Sequence, residues 1–428
     1  MLRVLHLVHQ YPPHFIGGTE FYTQAVAVAQ VESGLDVAVF VPVPWTEAPD
    51  MDSLKPVVEK GVRVYRAPVG ERSRTKVFIH SFRQPQLQRY WQMVLDAEQP
   101  DLVHIEHLMG LPLSVVDDLR KRGIPFLVTL HDYWFVCANA QLLTNTNQEI
   151  CRGPDSYALN CARCALARGG FDSALGLAPT LAPIMKHRNN QTAAVLKDAN
   201  RIIAPTHFVC DIYLSLLPDV KEIDVLAHGI DAPNRSVANA QRDQRVNRKD
   251  GRLQVGYIGS VARQKGVHVL VSAVNGLSEE DIALTIYGDL KSSPEYVAEL
   301  QRMITRPGIE MRGVLDRDAI WSAITGFDVV IIPTLWYETS VLVIDEVFAM
   351  GVPVIGSDIG VLQEKIKDGE NGRLFTPGDV KGLQDILAEL VKSPGILSIW
   401  RQNIEPVFSI GDHISMLEEI YGDVVNPV

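Results

Sequence analysis

The chain has 428 residues, of which 46% are apolar and 21% charged. That length suits about two to three ordinary domains and supplies enough apolar material for two cores, so no disulfide or metal is needed merely to hold a small fold together. The 51 acidic and 40 basic side chains leave a formal charge of −11, and there are five cysteines; the first argues against nucleic acid as the main partner and the second against a secreted disulfide scaffold.

In chain order, Leu2–Val8 reads as a first strand. It does not read as a signal peptide, because His6, His9 and Gln10 break the apolar run after Arg3. A turn with Pro12, Pro13, Gly17 and Gly18 follows, then a helical repeat over Glu20–Ser33 that stops at Gly34. Strands are expected at Val37–Val41 and Val62–Arg66, and a helix over Phe82–Ala97. Leu102–Ile105 is a strand and Ser114–Arg122 a helix, with Ser114 and Asp117 at N-cap and N3 spacing. Ile124–Leu130 is nearly all apolar, as a buried parallel strand should be. Thr192–Asp198 ends a helix, and Arg201–Ala204 and Asp224–Ala227 are the last strands of this half.

Between Ala232 and Arg252 the composition turns polar, which predicts an exposed linker. The alternation then restarts. Strands are predicted at Gln254–Ile258, Ile282–Tyr287, Ile309–Arg312, Val329–Ile332 and Val352–Ile355, with helices beginning near Gly266, Pro294, Asp318 and Val341. Strand and helix in repeated alternation on both sides of a linker predict two Rossmann-like, doubly wound α/β domains. Ligands of such sheets bind beyond the carboxyl ends of the strands, and the default site of a two-domain pair is the cleft between them. No run approaches 18 uninterrupted apolar residues, so no transmembrane helix is expected and the cytoplasm is favoured.

Several motifs carry candidate chemistry. Gly259-Ser260 and Lys265-Gly266 join a strand to a helix, where a tight turn, free N–H groups and a cation make a phosphate cradle; an ordinary βα turn with a solvated lysine is the plainer reading. Gly17-Gly18 lets backbone approach a ligand in the first βα loop. Glu338 follows a strand, and Glu346, after seven intervening residues, interrupts an apolar helix beside Asp345. A carboxylate there needs donors, which ligand hydroxyls supply. His131-Asp132 directly follows the buried strand Ile124–Leu130. Cys137, Cys151, Cys161 and Cys164 fall close together, the last two as C-x2-C; they suit a tetrahedral structural zinc or are simply buried thiols. The acid pairs Asp50/Asp52 and Asp316/Asp318 are read as solvated or capping groups, not as a metal site.

Taken together, YPPHFIGGTE (11–20), VTLHDYWFVC (128–137), the glycine–lysine loop, the two glutamates, GVPVIGSDIGVLQE (351–364) and DGENGRLF (368–375) resemble a family 4 glycosyltransferase, over nearly the whole length. The segment around Cys137 resembles a cysteine-rich insertion of part of that family. The resemblance implies a retaining enzyme of GT-B fold that moves a sugar from a UDP- or GDP-linked donor to a glycan or lipid-linked acceptor, with no metal required for chemistry. A small soluble acceptor and a non-catalytic nucleotide-sugar-binding protein are the alternatives. It implies an acceptor-side domain over 1–231 with an insertion around 137–175, a linker over 232–252, a donor domain over 253–405, and a closing helix over 406–428 that returns to the first domain. By the same resemblance Gly17 and Gly18 shape the loop against the sugar and its phosphates, and His131 approaches the sugar. Lys265 contacts the pyrophosphate, Glu338 faces the sugar, Glu346 binds the ribose, and the backbone of Ile359, Gly360 and Val361 embraces the sugar diphosphate.

Two positions depart from the family pattern. Ser260 stands where an arginine is usual, with Arg263 the nearest replacement charge, and Val341 stands where relatives often have proline. The stretch RSRTKVFIHSFRQPQLQR (72–89) supplies basic and aromatic material for contact with an inner-membrane surface; a solvated face explains it equally.

Overall fold

The computed structural model describes residues 1–13, 17–44, 54–70, 74–233, 251–317 and 319–426. Most of the expected linker, the pair Asp50/Asp52 and Asp318 lie outside the described residues. The chain forms two compact units, Met1–Gly229 with Ser409–Val428, and Ile230–Phe408.

In the first unit the strands are β1 (Arg3–Leu7), β2 (Asp36–Pro44), β3 (Val57–Glu59), β4 (Val62–Val69), β5 (Leu102–Ile105), β6 (Phe126–Thr129), β7 (Arg201–Ala204) and β8 (Ile223–Val225). They form one sheet in the order β3-β4-β2-β1-β5-β6-β7-β8, parallel except for the β3–β4 pair. The helices are α1 (Gly18–Glu32), α2 (Arg74–His80), α3 (Pro85–Glu98), α4 (Ser114–Arg122), α5 (Leu159–Arg168), α6 (Ala178–Asp198) and α7 (His207–Leu216). Strands β5 and β6 are buried throughout, which is why they read as mostly apolar runs, with His104 and Thr129 as their polar members.

The second unit holds β9 (Leu253–Ile258), α8 (Val267–Asn275), β10 (Ile282–Tyr287), α9 (Pro294–Met303), β11 (Ile309–Arg312), α10 (Ala319–Thr325), β12 (Val329–Ile332) and α11 (Leu342–Ala349). It continues with β13 (Val354–Ser357), α12 (Val361–Lys365), β14 (Gly372–Phe375), α13 (Val380–Lys392) and α14 (Gly395–Gln402). Its sheet is wholly parallel, ordered β11-β10-β9-β12-β13-β14. Val255, Leu284, Ile286, Leu270 and Leu387 pack one apolar cluster, and Val330, Ile332, Ile344, Phe348 and Leu362 another. Asp379 caps α13 by accepting the Gly382 N–H at 2.9 Å.

The last helix, α15 (Ile410–Val425), belongs to the first unit. Ser409 caps it by accepting the Asp412 N–H at 3.1 Å, and Ile414, Leu417, Tyr421 and Val424 are its buried stripe. Tyr421 reaches the sheet: its hydroxyl lies 2.7 Å from His104 Nδ1 and accepts the Gln30 amide at 2.9 Å.

The expected cap at Ser114 is a correction. Helix α4 has no side-chain cap; the Ser114 hydroxyl donates instead to the Gln88 side chain of α3. Ser114 is already the first helical residue, with Leu113 in the N-cap position, and packing of α3 on α4 turns its hydroxyl toward Gln88. Among the described residues no helix is long and apolar enough to cross a membrane.

Candidate active site

The sheet orders locate the crevices. In the second sheet β9 stands between β10 and β12, so the chain turns outward in opposite directions from β9 and β12. Such a reversal opens a gap beyond the carboxyl ends of those strands, where ligands of α/β sheets bind. In the first sheet β1 and β5 form the equivalent point.

At the second-unit reversal the chain leaves β9 through Gly259 and Ser260, makes a short 3-10 turn over Arg263–Lys265, and enters α8 through Gly266 at φ 70°. The Leu335 N–H donates to the Gln264 carbonyl at 2.8 Å, tying this turn to the segment after β12. The tie brings two predicted residues together. Lys265 Nζ donates to both Glu338 oxygens at 2.8 Å. Glu338 Oε1 also accepts from the Thr334 hydroxyl and the Trp336 indole, each at 2.8 Å. The carboxylate is 7% exposed and thus held by three donors, with Lys265 lying 5.3 Å from the Trp336 ring centre.

Ile359, Gly360 and Val361 follow β13, the next strand along. Gly360 takes φ 57° and ψ −132°, a combination open in practice only to glycine, and it starts α12. Glu346 lies in α11, 4% exposed; burial pushes its carboxyl up, and Arg317, which donates to it, opposes that. Asp345 pairs with Lys365 in the same way. Val341, at the start of α11, sits at φ 52°, a conformation a β-branched residue rarely takes.

Arg263 is the residue not brought to this group by the contacts it makes. It pairs with Glu299 and lies 5.1 Å over the Tyr296 ring, half exposed. Of the two cationic side chains in this turn, Lys265 is the one seen to meet Glu338 among the described residues, and Ser260 meets Tyr257, whose hydroxyl donates to the Ser260 carbonyl at 2.7 Å.

In the first unit Gly17 is the N-cap position of α1 and Gly18 its first residue, just beyond β1. His131 follows β6, 7% exposed. Its Nε2 lies 2.7 Å from Glu106 Oε2. Asp132, next in sequence, accepts from His107 at 2.8 Å and from the Trp134 N–H at 2.8 Å.

Glu106, with His6 and His104, was not singled out by sequence. The register explains the cluster. His6 on β1 pairs with His104 on β5, and Glu106 lies two residues beyond His104 on the same face. Thr129, the last residue of β6, and His131 just beyond it are likewise two apart. His6 Nδ1 lies 2.8 Å from Glu106 Oε1, His6 Nε2 2.7 Å from Gln30 Oε1, and His104 Nε2 2.7 Å from Thr129 Oγ1. Burial alone would push the Glu106 carboxyl up; His104, His131 and His6 outweigh it and hold the group well below the usual carboxylate range. His6, His104 and Glu106 offer ligand atoms within 4.8 Å of one another. Both nitrogens of His104 nonetheless serve Tyr421 and Thr129, so the set reads as a hydrogen-bonded network before a metal site. The available signal was polar residues at period two in strands otherwise apolar.

The four clustered cysteines lie between β6 and α6, and all are free. Cys161 and Cys164 occupy one face of α5. Burial foremost pushes the Cys151 thiol up, with Cys137 and Cys164 adding to it, and burial foremost pushes the Cys161 thiol up to about 12, with Cys137, Cys151 and Cys164 adding to it. Cys164 Sγ accepts from Asn139 Nδ2 at 3.0 Å, Asn145 N at 3.3 Å and Asn145 Nδ2 at 3.2 Å. Among the described residues, no three of these sulfurs lie within 4.8 Å of one another.

Comparison with known proteins agrees with this architecture. Residues 17–229 match the model of a glycosyl transferase 4-like domain, and residues 252–393 that of glycosyl transferases group 1. A glycogen synthase of Mycobacterium tuberculosis is 24% identical over 396 residues, covering 92% of this chain and 87% of that protein. A D-inositol 3-phosphate glycosyltransferase of Paenarthrobacter aurescens is 24% identical over 385 residues, covering 87% and 84%. Among solved structures, sucrose-phosphate synthase of Thermosynechococcus elongatus superposes with a TM-score of 0.74 at 18% identity over 98% of both chains. HepE of Anabaena, solved with UDP-glucose, gives 0.68 at 16% identity over 99% of this chain and 100% of its own. Two parallel α/β units in this order, each matched by its own glycosyltransferase model, make the chain a glycosyltransferase of the family 4 type with the GT-B fold.

Proposed function

We propose that this enzyme transfers a sugar from a nucleoside-diphosphate sugar to a hydroxyl of a glycan or lipid-linked glycan, with retention at the anomeric carbon. The observation that carries the proposal is the Lys265–Glu338 pair at the reversal point of the second sheet. As the bond to the donor phosphate breaks, negative charge grows on the diphosphate and positive charge on the sugar. In this reading Lys265, the N–H groups opening α8 and the backbone at Ile359–Val361 stabilise the first. Glu338, fixed by Thr334 and Trp336, orients the sugar hydroxyls, and Glu346 takes the ribose. Gly17 and Gly18 let the α1 N-terminus approach the phosphates, and His131 meets the sugar. The leaving phosphate oxygen takes the acceptor proton, so no protein nucleophile is required.

HepE, solved with UDP-glucose, favours a UDP-linked donor as the first to test. Purified protein incubated with UDP-glucose, ADP-glucose and GDP-mannose should release nucleoside diphosphate from one of them, faster with acceptor present. No binding and no release across such a panel would overturn the reading. Membrane-borne and soluble acceptors separate in the same assay. Lys76 and Ile79 are exposed within the 72–89 stretch, which supports a membrane-carried acceptor and predicts sedimentation with anionic vesicles.

A structural zinc on Cys137, Cys151, Cys161 and Cys164 belongs to this reading. It is supported by three N–H groups aimed at Cys164 and by Arg188, fully buried within electrostatic reach of Cys137 and Cys161, whose charge would offset a thiolate cage. Closing the cage requires the sulfurs to move inward. Elemental analysis of purified protein should give about one zinc per chain; protein without zinc would refute it.

A further inference from the structure

We propose that Glu106 is a positioning residue for sugar transfer, acting through His131. The inference rests on the reading that His131 meets the donor sugar. Glu106 follows β5 directly, and its N–H is anchored on the Leu7 carbonyl of β1 at 2.9 Å. Its side chain is fully buried and lies between two rings, His6 Nδ1 at 2.8 Å on one oxygen and His131 Nε2 at 2.7 Å on the other.

An ionised carboxylate can only accept. His131 must therefore carry its proton on Nε2. The neutral ring then has Nδ1 as its one acceptor, which is the chemistry needed to receive a hydrogen bond from a sugar hydroxyl. A histidine left to itself exchanges tautomers and rotates about its side-chain bonds; a buried anion at hydrogen-bond distance removes both freedoms. The carboxylate also sets charge. A cationic ring beside a sugar centre that is turning positive would oppose the reaction, and Glu106 offsets that charge whenever His131 is protonated.

The anion is itself held. Facing it are His6 of β1, His104 of β5, His131 after β6, Tyr22 of α1, and His413 and Tyr421 of α15. His413 donates through Nδ1 to the Ala227 carbonyl at 2.8 Å, so its Nε2 accepts the Tyr22 hydroxyl, also at 2.8 Å. Each neighbour's proton is thus assigned elsewhere or to Glu106, and none competes for the Nε2 position of His131.

The test has two arms. In the first, protein labelled with ¹⁵N in its histidine rings is examined by NMR, the His131 signals being identified by their loss in His131→Ala. The proposal expects the Nε2–H tautomer in the native protein and a mixture or the Nδ1–H form in Glu106→Gln. An Nδ1–H ring in the native protein overturns it, with no donor or acceptor needed. In the second arm, release of nucleoside diphosphate from UDP-glucose is followed in Glu106→Gln, His131→Ala and the double variant. Glu106→Gln should lower kcat at least tenfold with little change in KM. The double variant should be no slower than His131→Ala. If the two losses multiply, Glu106 acts independently and the proposal fails. If His131→Ala keeps the native rate, the reading of His131 fails instead, while the first arm still reports whether Glu106 sets the tautomer. Should Glu106→Gln not fold, Glu106→Asp, which keeps the charge but shortens the reach, takes its place in both arms.

Discussion

Replacing Gly266 by alanine probes how the phosphate loop is built. A Cβ at this position would fall 1.8 Å from the Pro333 carbonyl oxygen, whereas real Cβ atoms essentially never come within 3.0 Å. The obstacle is backbone, so no side chain can swing away. The turn carrying Lys265 and the segment leading to Glu338 must part by at least 1.2 Å, the difference between those two distances. Alanine at φ 70° adds a conformational cost of about 1–2 kcal/mol, and overpacking of this kind costs about 1–3 kcal/mol, for a total of about 2–5 kcal/mol. Gly378 supplies the control. It lies in the same unit at φ 80°, but its Cβ would meet only Leu335 Cδ2 at 3.9 Å, so alanine there carries the conformational cost without the clash. Calorimetry of both variants should show the second unit melting lower in Gly266→Ala by the clash alone, at roughly 2–4 °C per kcal/mol. Donor turnover should fall in Gly266→Ala and persist in Gly378→Ala, because only the first moves Lys265 off Glu338. Equal melting points for the two variants would refute the close approach of loop and strand end.

Three further outcomes follow from the same geometry. Lys265→Ala should cut turnover by orders of magnitude while the fold survives, since Thr334 and Trp336 still hold Glu338; near-native turnover would refute the site. The first unit should be acid-labile: burial lowers His104 to about 3 and His413 to about 4. Below the ordinary 6.5, the unfolded chain therefore takes up protons that the folded one refuses. Stability present above that pH is lost at roughly 1.4 kcal/mol per pH unit for each histidine as pH falls toward 4.5. Hydrogen exchange of β5 and β6 amides reads it separately from the second unit, where Asp345 and Glu346, pushed up by burial, act in the opposite sense; pH-independent exchange free energies between 6.5 and 4.5 would refute it. Val341→Gly should raise the melting point of the second unit by relieving about 1–3 kcal/mol of backbone strain, less the entropy cost of glycine; a drop in melting point would mean that the packing of the valine outweighs its strain.

Much of the fold was legible in the sequence. Arg201–Ala204, Ile282–Tyr287, Ile309–Arg312 and Val329–Ile332 are strands with the ends the pattern gives them. Val329–Ile332 is wholly apolar because it is buried throughout, whereas Ile282–Tyr287 alternates and the edge strand Ile309–Arg312 keeps Glu310 and Arg312 exposed. Ser114 failed as a cap because the helix starts one residue earlier, with Leu113 in the N-cap position, and the Ser114 hydroxyl donates to Gln88, 26 residues back in the chain. Lys265 and Glu338 were legible as candidates, but their pairing depends on the backbone tie between Gln264 and Leu335, which no spacing reveals. Glu106 escaped notice for a different reason. Its meaning comes from the register of β1, β5 and β6, and a sequence read one segment at a time does not place His6 beside His104 or Glu106 beside His131.

Helix α15 also fixes an order of events. Tyr421 completes the hydrogen bonds of His104 and Gln30, and His413 those of Tyr22. All three belong to the first unit, yet residues 409–426 leave the ribosome after the whole of 230–408. At about 5–20 residues per second, the first sheet waits roughly 10–40 seconds with a polar cavity where α15 will lie. Its early segments can collapse, but the network around Glu106 cannot close during that interval. The second unit, whose strands are contiguous in sequence, is free to fold first.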